Sequence, residues 1–525
     1  MLSETGSRLG GFLYTFDPLR IHTSTFYHLS YLLAEGFGVG GSYVPYQLVH
    51  AFLWWARGFL VFLLLSRFLP SYTAVSYVAG ALVIVHASDG ALQWVGQMNQ
   101  LGFIFWMLLA WYLLTLSYEA ARPARALMLT TVACLAEYMS LWSYESQILL
   151  MLAFPLTLPI LSMPRWRRLV LISIAWYAVP VVYLAMTFLR YSTGGGTTYQ
   201  LSVLRTVWRP SVLAGDWLFN IAASLEFWTW TRGEAPTTPY LVGLSLCAVA
   251  VFCAGGFIVM RLAGLNERSD VVPPPTNGWT LLACGTIAVI LSFPVYLLLG
   301  SARDLWRTQF LSGVGSAVVL TALFGIAVAY MAPEHRSVRN ALFLSLGGIV
   351  VYCGALAALQ RGAFNRSLWE HHREAIARVL KTAPNVRPNT IIAFVNVPKG
   401  DDPFRHDMWF DVSLRLAYPG TPVSAIYFYP DRTPAPGDNL RVESGRWKWD
   451  GTAYPPLVRD TSIANTIVID FAASGKDALV AAIPPYICSE PCAPQLYNPS
   501  VLIAGTISPR AVRRYRLSSP SSDVN

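Results

Sequence analysis

Charge is the scarcest property of this chain: Asp, Glu, Lys and Arg together make up 13% of its 525 residues, about half the share found in soluble domains. So little charge excludes a large soluble body. Cysteine is also sparse, at seven residues, which excludes a disulfide-held scaffold. Five of them, Cys134, Cys247, Cys253, Cys284 and Cys353, lie in or beside apolar runs, where a thiol behaves as a small hydrophobe. The other two, Cys488 and Cys492, can close a small loop if their segment is extracytoplasmic, and no neighbouring His/Cys set supports zinc. The polar C-terminal third has neither G-x-G-x-x-G nor a P-loop. No convincing internal repeat is present, which weighs against the repeat architecture of secondary transporters. Nothing ahead of the first apolar run looks like a signal peptide.

What is abundant is apolar surface. Hydrophobic residues reach 54% and mean hydropathy is +0.45. Runs such as FLVFLLLSRFLP, LGFIFWMLLAWYLLTLS, LVLISIAWYAVPVVYLAMTFL and YLVGLSLCAVAVFCAGGFIVM approach or reach the roughly 20 residues that carry a helix across a bilayer. The expected class is therefore an α-helical polytopic membrane protein. Ten spans are expected, near 46–66, 71–87, 101–118, 126–141, 146–162, 168–190, 240–261, 279–300, 309–331 and 341–360.

Orientation follows from arginine. Arg67, Arg122 with Arg125, Arg165 with Arg167 and Arg168, Arg261 with Arg268, and Arg336 with Arg339 occupy alternate connections, as cytoplasmic loops do. The net charge of +9 is thus a sign of membrane orientation, and no nucleic-acid partner is expected. By parity the connections 88–100, 142–145, 191–239 and 301–308 face outward, with residues 1–45 as an N-terminal outward segment. That placement asks for a further helix upstream. Residues 46–360 form the membrane domain, and 361–525 a small extracytoplasmic α/β domain. In that domain SLWEHHREAIARVLKTAP reads as helix, and NTIIAFVNVP, SAIYFYP and NTIVIDFA are short β-branched runs. The expected location is a membrane, with lipids as the first partners.

Polar residues at membrane depth are costly, so they are default candidates for function. Asp17, Arg20, His22 and His28 precede the first span, His50 and Arg57 lie within it, and His86 and Asp89 interrupt VIVHASDGALQWVGQMNQLGF. Glu145, Arg303 and Arg307 follow on the same expected side. Each has an ordinary alternative: Asp17 and Arg20 as surface residues, Asp89 as a helix cap, Arg303 and Arg307 as snorkelling anchors.

In chain order these segments resemble the GT-C glycosyltransferases, nearest to the protein O-mannosyltransferase relatives. The stretch DPLRIHTSTFYHLSYLLAEGFGVGGSYVPYQLVHAFLWWARGFLVFLLLSRFLP is similar to their early region. Arg20, His50 and Ser66-Arg67 fill comparable positions, although the R-P order becomes Pro18-Leu19-Arg20. His86, Asp89, Trp94 and Val95 resemble the family's H-P-x-x-x-E-A-V-x-W loop, with aspartate for glutamate and shifted spacing. SYES, Ser143–Ser146, is similar to an S-K-E segment with Tyr144 for lysine. RTQFLSGVG, from Arg307, resembles R-Y-L-Y-L-P-S-x-G, keeping Arg307 and Gly315 and losing the proline. The resemblance covers about residues 17–330.

It implies a polyprenyl-phosphate sugar donor, an outward-facing site and transfer with inversion to a protein, glycan or lipid acceptor. Asp17, Asp89 and Glu145 are the implied catalytic carboxylates. Arg303, Arg307 and Arg20 are implied donor-phosphate ligands, and His86 and His50 have supporting roles. A divalent cation is an optional cofactor. The family's early acidic pair has no counterpart here, which keeps open a non-catalytic scaffold or a lipid or glycolipid transporter.

Overall fold

The computed structural model describes residues 25–37, 44–86, 98–161, 166–193, 205–206, 208–226, 236–264, 275–298, 305–331, 336–436, 440–449, 456–473, 478–488, 497–515 and 517. The chain divides into two compact units, Met1–Ala363 and Phe364–Asn525.

The first unit is helical. Its elements are α1 (Thr25–Gly36), α2 (Val44–Phe68), α3 (Thr73–Val85), α4 (Met98–Glu119), α5 (Pro123–Ser143), α6 (Ile148–Ala153), α7 (Trp166–Ser192), α8 (Pro210–Leu225), α9 (Pro239–Gly264), α10 (Pro275–Leu291), α11 (Leu305–Met331) and the start of α12 (Arg336–Thr382). Proline sets several of the starts. Pro123 and Pro210 stand at the first helical positions of α5 and α8, where a missing N–H costs nothing and the fixed φ suits a helix.

Among the described residues, eight helices are long and apolar enough to cross a membrane: α2, α4, α5, α7, α9, α10 with its 3-10 extension, α11 and α12. Two of the ten expected spans, 71–87 and 146–162, hold shorter helices among the described residues. α3 has 13 residues, about 20 Å of helix against a hydrocarbon core of roughly 30 Å. α6 ends where Pro155 and Pro159 convert the chain to a 3-10 turn, Phe154–Ile160, because proline removes helix donors. Two expected connections also contain helix: α8 lies inside 191–239, and α1 inside 1–45.

Small residues bring these helices into backbone contact. A Cβ on Gly315 of α11 would lie 2.9 Å from the Gly285 carbonyl oxygen of α10, and one on Gly80 of α3 would lie 2.7 Å from the Gly58 carbonyl of α2. Such crossings give apolar helices the van der Waals contact that drives association where no hydrophobic effect operates. Polar side chains add links. Ser140 Oγ donates to the Phe103 carbonyl at 2.8 Å and Tyr77 Oη to the Phe252 carbonyl at 2.7 Å.

Arg67 and Arg168 lie at one end of this bundle. Arg67 of α2 pairs with Glu119 of α4 at 3.6 Å. Arg168 of α7 donates to the carbonyls of Tyr118, at 3.2 Å, and Ala120.

The second unit begins inside α12, which runs without a break to Thr382, beyond the boundary expected at 360. It then forms β1 (Thr390–Val395), α13 (Asp407–Ala417), β2 (Val423–Tyr427), β3 (Leu440–Glu443), β4 (Arg446–Trp449), β5 (Asp460–Ser462), β6 (Thr466–Asp470) and α14 (Pro509–Tyr515). Strands β2, β1 and β6 pair in parallel in that order, and β3, β4 and β5 form an antiparallel sheet. Both faces of the parallel sheet are buried. Ile392, Phe394 and Ile467 pack on Ile376, Leu380, Phe410 and Leu414 of α12 and α13. Ile391, Ala393 and Val468 pack on Val442 and Trp447 of the second sheet. The continuous apolar β1, TIIAFV, reflects that two-sided burial. Cys488 is disulfide-bonded, and Cys492 lies outside the described residues.

Candidate functional site

The last turn of α3 explains two polar residues of α2. A helix end leaves its final carbonyls without intrahelical donors. Arg57 donates Nη2–H to the Val83 carbonyl at 2.8 Å, and Trp54 donates Nε1–H to the Ile84 carbonyl at 2.6 Å. The three-residue spacing of Trp54 and Arg57 puts both on one face of α2. A guanidinium there also meets the negative end of the helix dipole. Arg57 is therefore a buried cap. His50, one turn earlier on α2, is buried with its ring edge-on to Trp54 at 6.2 Å.

His86 follows as the C-cap of α3, in extended conformation. It is buried against α11: a Cβ built on Gly313 would lie 3.1 Å from His86 Nδ1. The glycine makes room for the imidazole. Gly313 belongs to a polar stripe, Gln309, Ser312, Gly313 and Ser316, spaced as one helical face. Ser224 of α8 meets this stripe, its Oγ lying 2.8 Å from Ser312 Oγ and 2.7 Å from Ser316 Oγ. Ser312 in turn donates to Gln309 Oε1 at 3.0 Å. Arg307 lies in the first turn of the same α11, six residues, or about 9 Å of helix rise, before Gly313.

Glu145 occupies the turn between α5 and α6 and is half-buried. Gln147 pins that turn by donating to Ser140 Oγ at 2.8 Å and to the Tyr144 carbonyl at 2.7 Å. Tyr144 stacks on Phe103 at 5.3 Å and approaches Tyr296 at 6.3 Å, in the 3-10 extension Pro294–Leu298 of α10. Two contacts thus lie toward the end of the bundle opposite Arg67 and Arg168: the end of α3 on α11, and the end of α5 beside the extension of α10. Of the expected site residues, His86 and Arg307 come to one helix, Glu145 lies at the same end, and His50 lies along α2 beside Trp54. Asp17, Arg20, Asp89 and Arg303 lie outside the described residues.

Two polar features went unrecognised in the sequence. Arg205 and Asp216 form a buried ion pair at 2.6 Å, and Arg205 also donates Nε–H to the Leu297 carbonyl at 3.1 Å. This pair ties α8 to the extension of α10, which accounts for a helix where charge had suggested a loop. Glu137 of α5 is fully buried, and neither carboxylate oxygen has a hydrogen-bond partner among the described residues. It was hidden inside the apolar run 126–141. Its signal was an acid one turn before the polar end of a span.

Among the described residues no three His, Cys, Asp or Glu side chains cluster as a metal requires. No family model matches the chain, and no curated protein matches it either.

Proposed function

We propose that the membrane unit is a glycosyltransferase that moves a sugar from a polyprenyl-phosphate donor to a hydroxyl acceptor at the end of the bundle holding His86, Glu145 and the start of α11. The observation that carries this reading is the seating of His86 on Gly313. His86 and Gly313 each belong to a segment, 86–95 and 307–315, that resembles a separate GT-C loop. The disulfide at Cys488 favours an oxidising, extracytoplasmic compartment for the second unit; the membrane assigned under this reading is a bacterial inner membrane.

In this mechanism a carboxylate, Glu145 or one of Asp17 and Asp89, takes the proton of the acceptor hydroxyl. The hydroxyl oxygen then attacks the anomeric carbon from the face opposite the phosphate. The bond from that carbon to the phosphate oxygen breaks, and polyprenyl phosphate leaves with the electron pair. Arg307, with Arg303 and Arg20, stabilises the growing charge through paired N–H donors suited to a phosphate. His86 and His50 support the wall. A reaction between a membrane-held donor and a large acceptor needs an opening at a bundle end, the position of His86 and Glu145.

A transporter of the same lipid-linked sugar is the second reading, favoured by Glu137, an acid buried within a membrane helix. Reconstitution into vesicles separates the two. The transferase reading expects sugar transfer that persists in Glu137→Gln and is lost in Arg307→Ala. Donor movement across the bilayer without transfer, abolished by Glu137→Gln, would replace it with the transporter reading.

A further inference from the structure

The second unit contains a cavity of about 240 Å³, bordered by Arg378, Lys381 and Thr382 of α12, Phe394 of β1, and Asp470 and Phe471 at the end of β6. β1 is flanked by β2 on one side and β6 on the other, so the chain leaves β1 for one neighbour and later returns to the other. In open parallel sheets that reversal leaves a crevice at the strands' carboxyl ends, where ligands bind.

The walls are chemically distinct. Arg378 is held in place: Nη1–H donates to the Phe471 carbonyl at 3.0 Å, and the guanidinium lies 4.9 Å from the centre of the Phe471 ring. A guanidinium has five donors, so that contact leaves most of them available. Lys381, one turn along the helix, is exposed, and among the described residues no ion pair joins either cation to Asp470. Asp470 is also fixed. Its Oδ1 accepts from Asn396 Nδ2 at 3.1 Å and from the Ala472 N–H at 2.9 Å, which leaves acceptor capacity on the carboxylate. Asn396 holds φ at 61°, a left-handed conformation that non-glycine residues rarely adopt. Two cations are thus set beside one pre-oriented acceptor and an aromatic ring.

We propose that this cleft binds a small hydroxylated anion, a sugar carrying a phosphate or a carboxylate. The anionic group pairs with Arg378 and Lys381 through charge-assisted hydrogen bonds. Sugar hydroxyls donate to Asp470, and the apolar sugar face rests on Phe471. A bare anion would use only the cations and meet repulsion from Asp470, and a neutral sugar would forgo them. The site is independent of the membrane chemistry proposed above.

Titration calorimetry on the full-length protein in detergent tests this, with glucose 6-phosphate, glucuronate, inorganic phosphate and glucose as probes. At least one of the two sugar acids is expected to bind saturably, and whichever binds identifies phosphate or carboxylate as the recognised group. Inorganic phosphate and glucose should each bind at least about tenfold more weakly, the loss of one good polar contact. Lys381→Ala, an exposed change that leaves the fold intact, should weaken the sugar acid about tenfold. Asp470→Asn should weaken the sugar acid and leave inorganic phosphate unchanged or tighter. Absence of binding by both sugar acids overturns the proposal. So does equal binding of the sugar acid and inorganic phosphate, or sugar-acid binding indifferent to both substitutions. No lipid donor enters the experiment, so its failure and failure of the transferase reading are separate results.

Discussion

The imidazole of His86 rests on the bare backbone of Gly313, with its Nδ1 3.1 Å from where a Cβ would stand. That contact couples the connection after α3 to the helix that begins beside Arg307. Gly313→Ala pushes the ring by a few tenths of an ångström, and Gly313→Leu displaces it. Under the transferase reading Gly313→Leu should lower kcat about 100-fold, the scale of misplacing a site by about 1 Å, while Gly313→Ala retains most activity. Steady-state kinetics of both variants check this ordering.

Gly315 serves packing. A side chain there meets the Gly285 carbonyl and the Val289 N–H, each at 2.9 Å, and backbone cannot move aside as a side chain can. Gly315→Val should destabilise the bundle by about 1–3 kcal/mol, read as a lower thermal midpoint in detergent. A midpoint equal to the parent's would contradict the close α10–α11 crossing.

Arg57 caps α3. Arg57→Met keeps much of the side chain's volume and leaves the Val83 carbonyl without the guanidinium. An unsatisfied buried acceptor costs about 1–3 kcal/mol, and hydrogen exchange should quicken in the last turn of α3. Uniform loss of protection across the whole bundle would instead point to a general folding role.

Asp411 gives the second unit a defined pH response. Burial raises its pKa above the ordinary aspartate range and outweighs the opposing pull of Arg415 and of the Ala425 N–H that it accepts. For a carboxylate with a raised folded pKa, the stability contribution is fully present below the unfolded value, about 3.9. It is lost as pH rises through the folded value. Asp411→Asn removes that loss. Protection factors of β2 amides, measured upward from about pH 4, should fall more steeply with pH in the parent than in the variant. Parallel slopes would contradict the assignment.

Much of the fold was legible because its signals are local. Apolar runs marked the long spans, and TIIAFV, SAIYFYP and NTIVIDFA marked the three parallel strands. What escaped notice depended on partners distant in sequence. α8 looked like loop because Asp216 and Asn220 interrupt its apolar pattern, and only Arg205, with the α10 extension, makes the acid tolerable in a helix. α3 and α6 looked like full spans because hydropathy records composition more strongly than helix length. Arg57 looked like a candidate ligand, since its acceptor, the Val83 carbonyl, is backbone and leaves no trace in sequence. His86 and Glu145 stood out in the sequence as polar residues beside apolar runs. It gave no sign that a glycine on α11 would receive the histidine.

Glycosyl transfer from a lipid-linked donor is tested most directly by the release of polyprenyl phosphate from a panel of polyprenyl-phosphate hexoses and pentoses by the purified full-length protein. Turnover of at least one donor is expected, with a loss of about 100-fold or more in Arg307→Ala and in at least one of Glu145→Gln, Asp89→Asn and Asp17→Asn, the range for removing a general base or a charge-stabilising group. Turnover that survives Arg307→Ala and all three carboxylate substitutions, or none with any donor, would contradict the assignment.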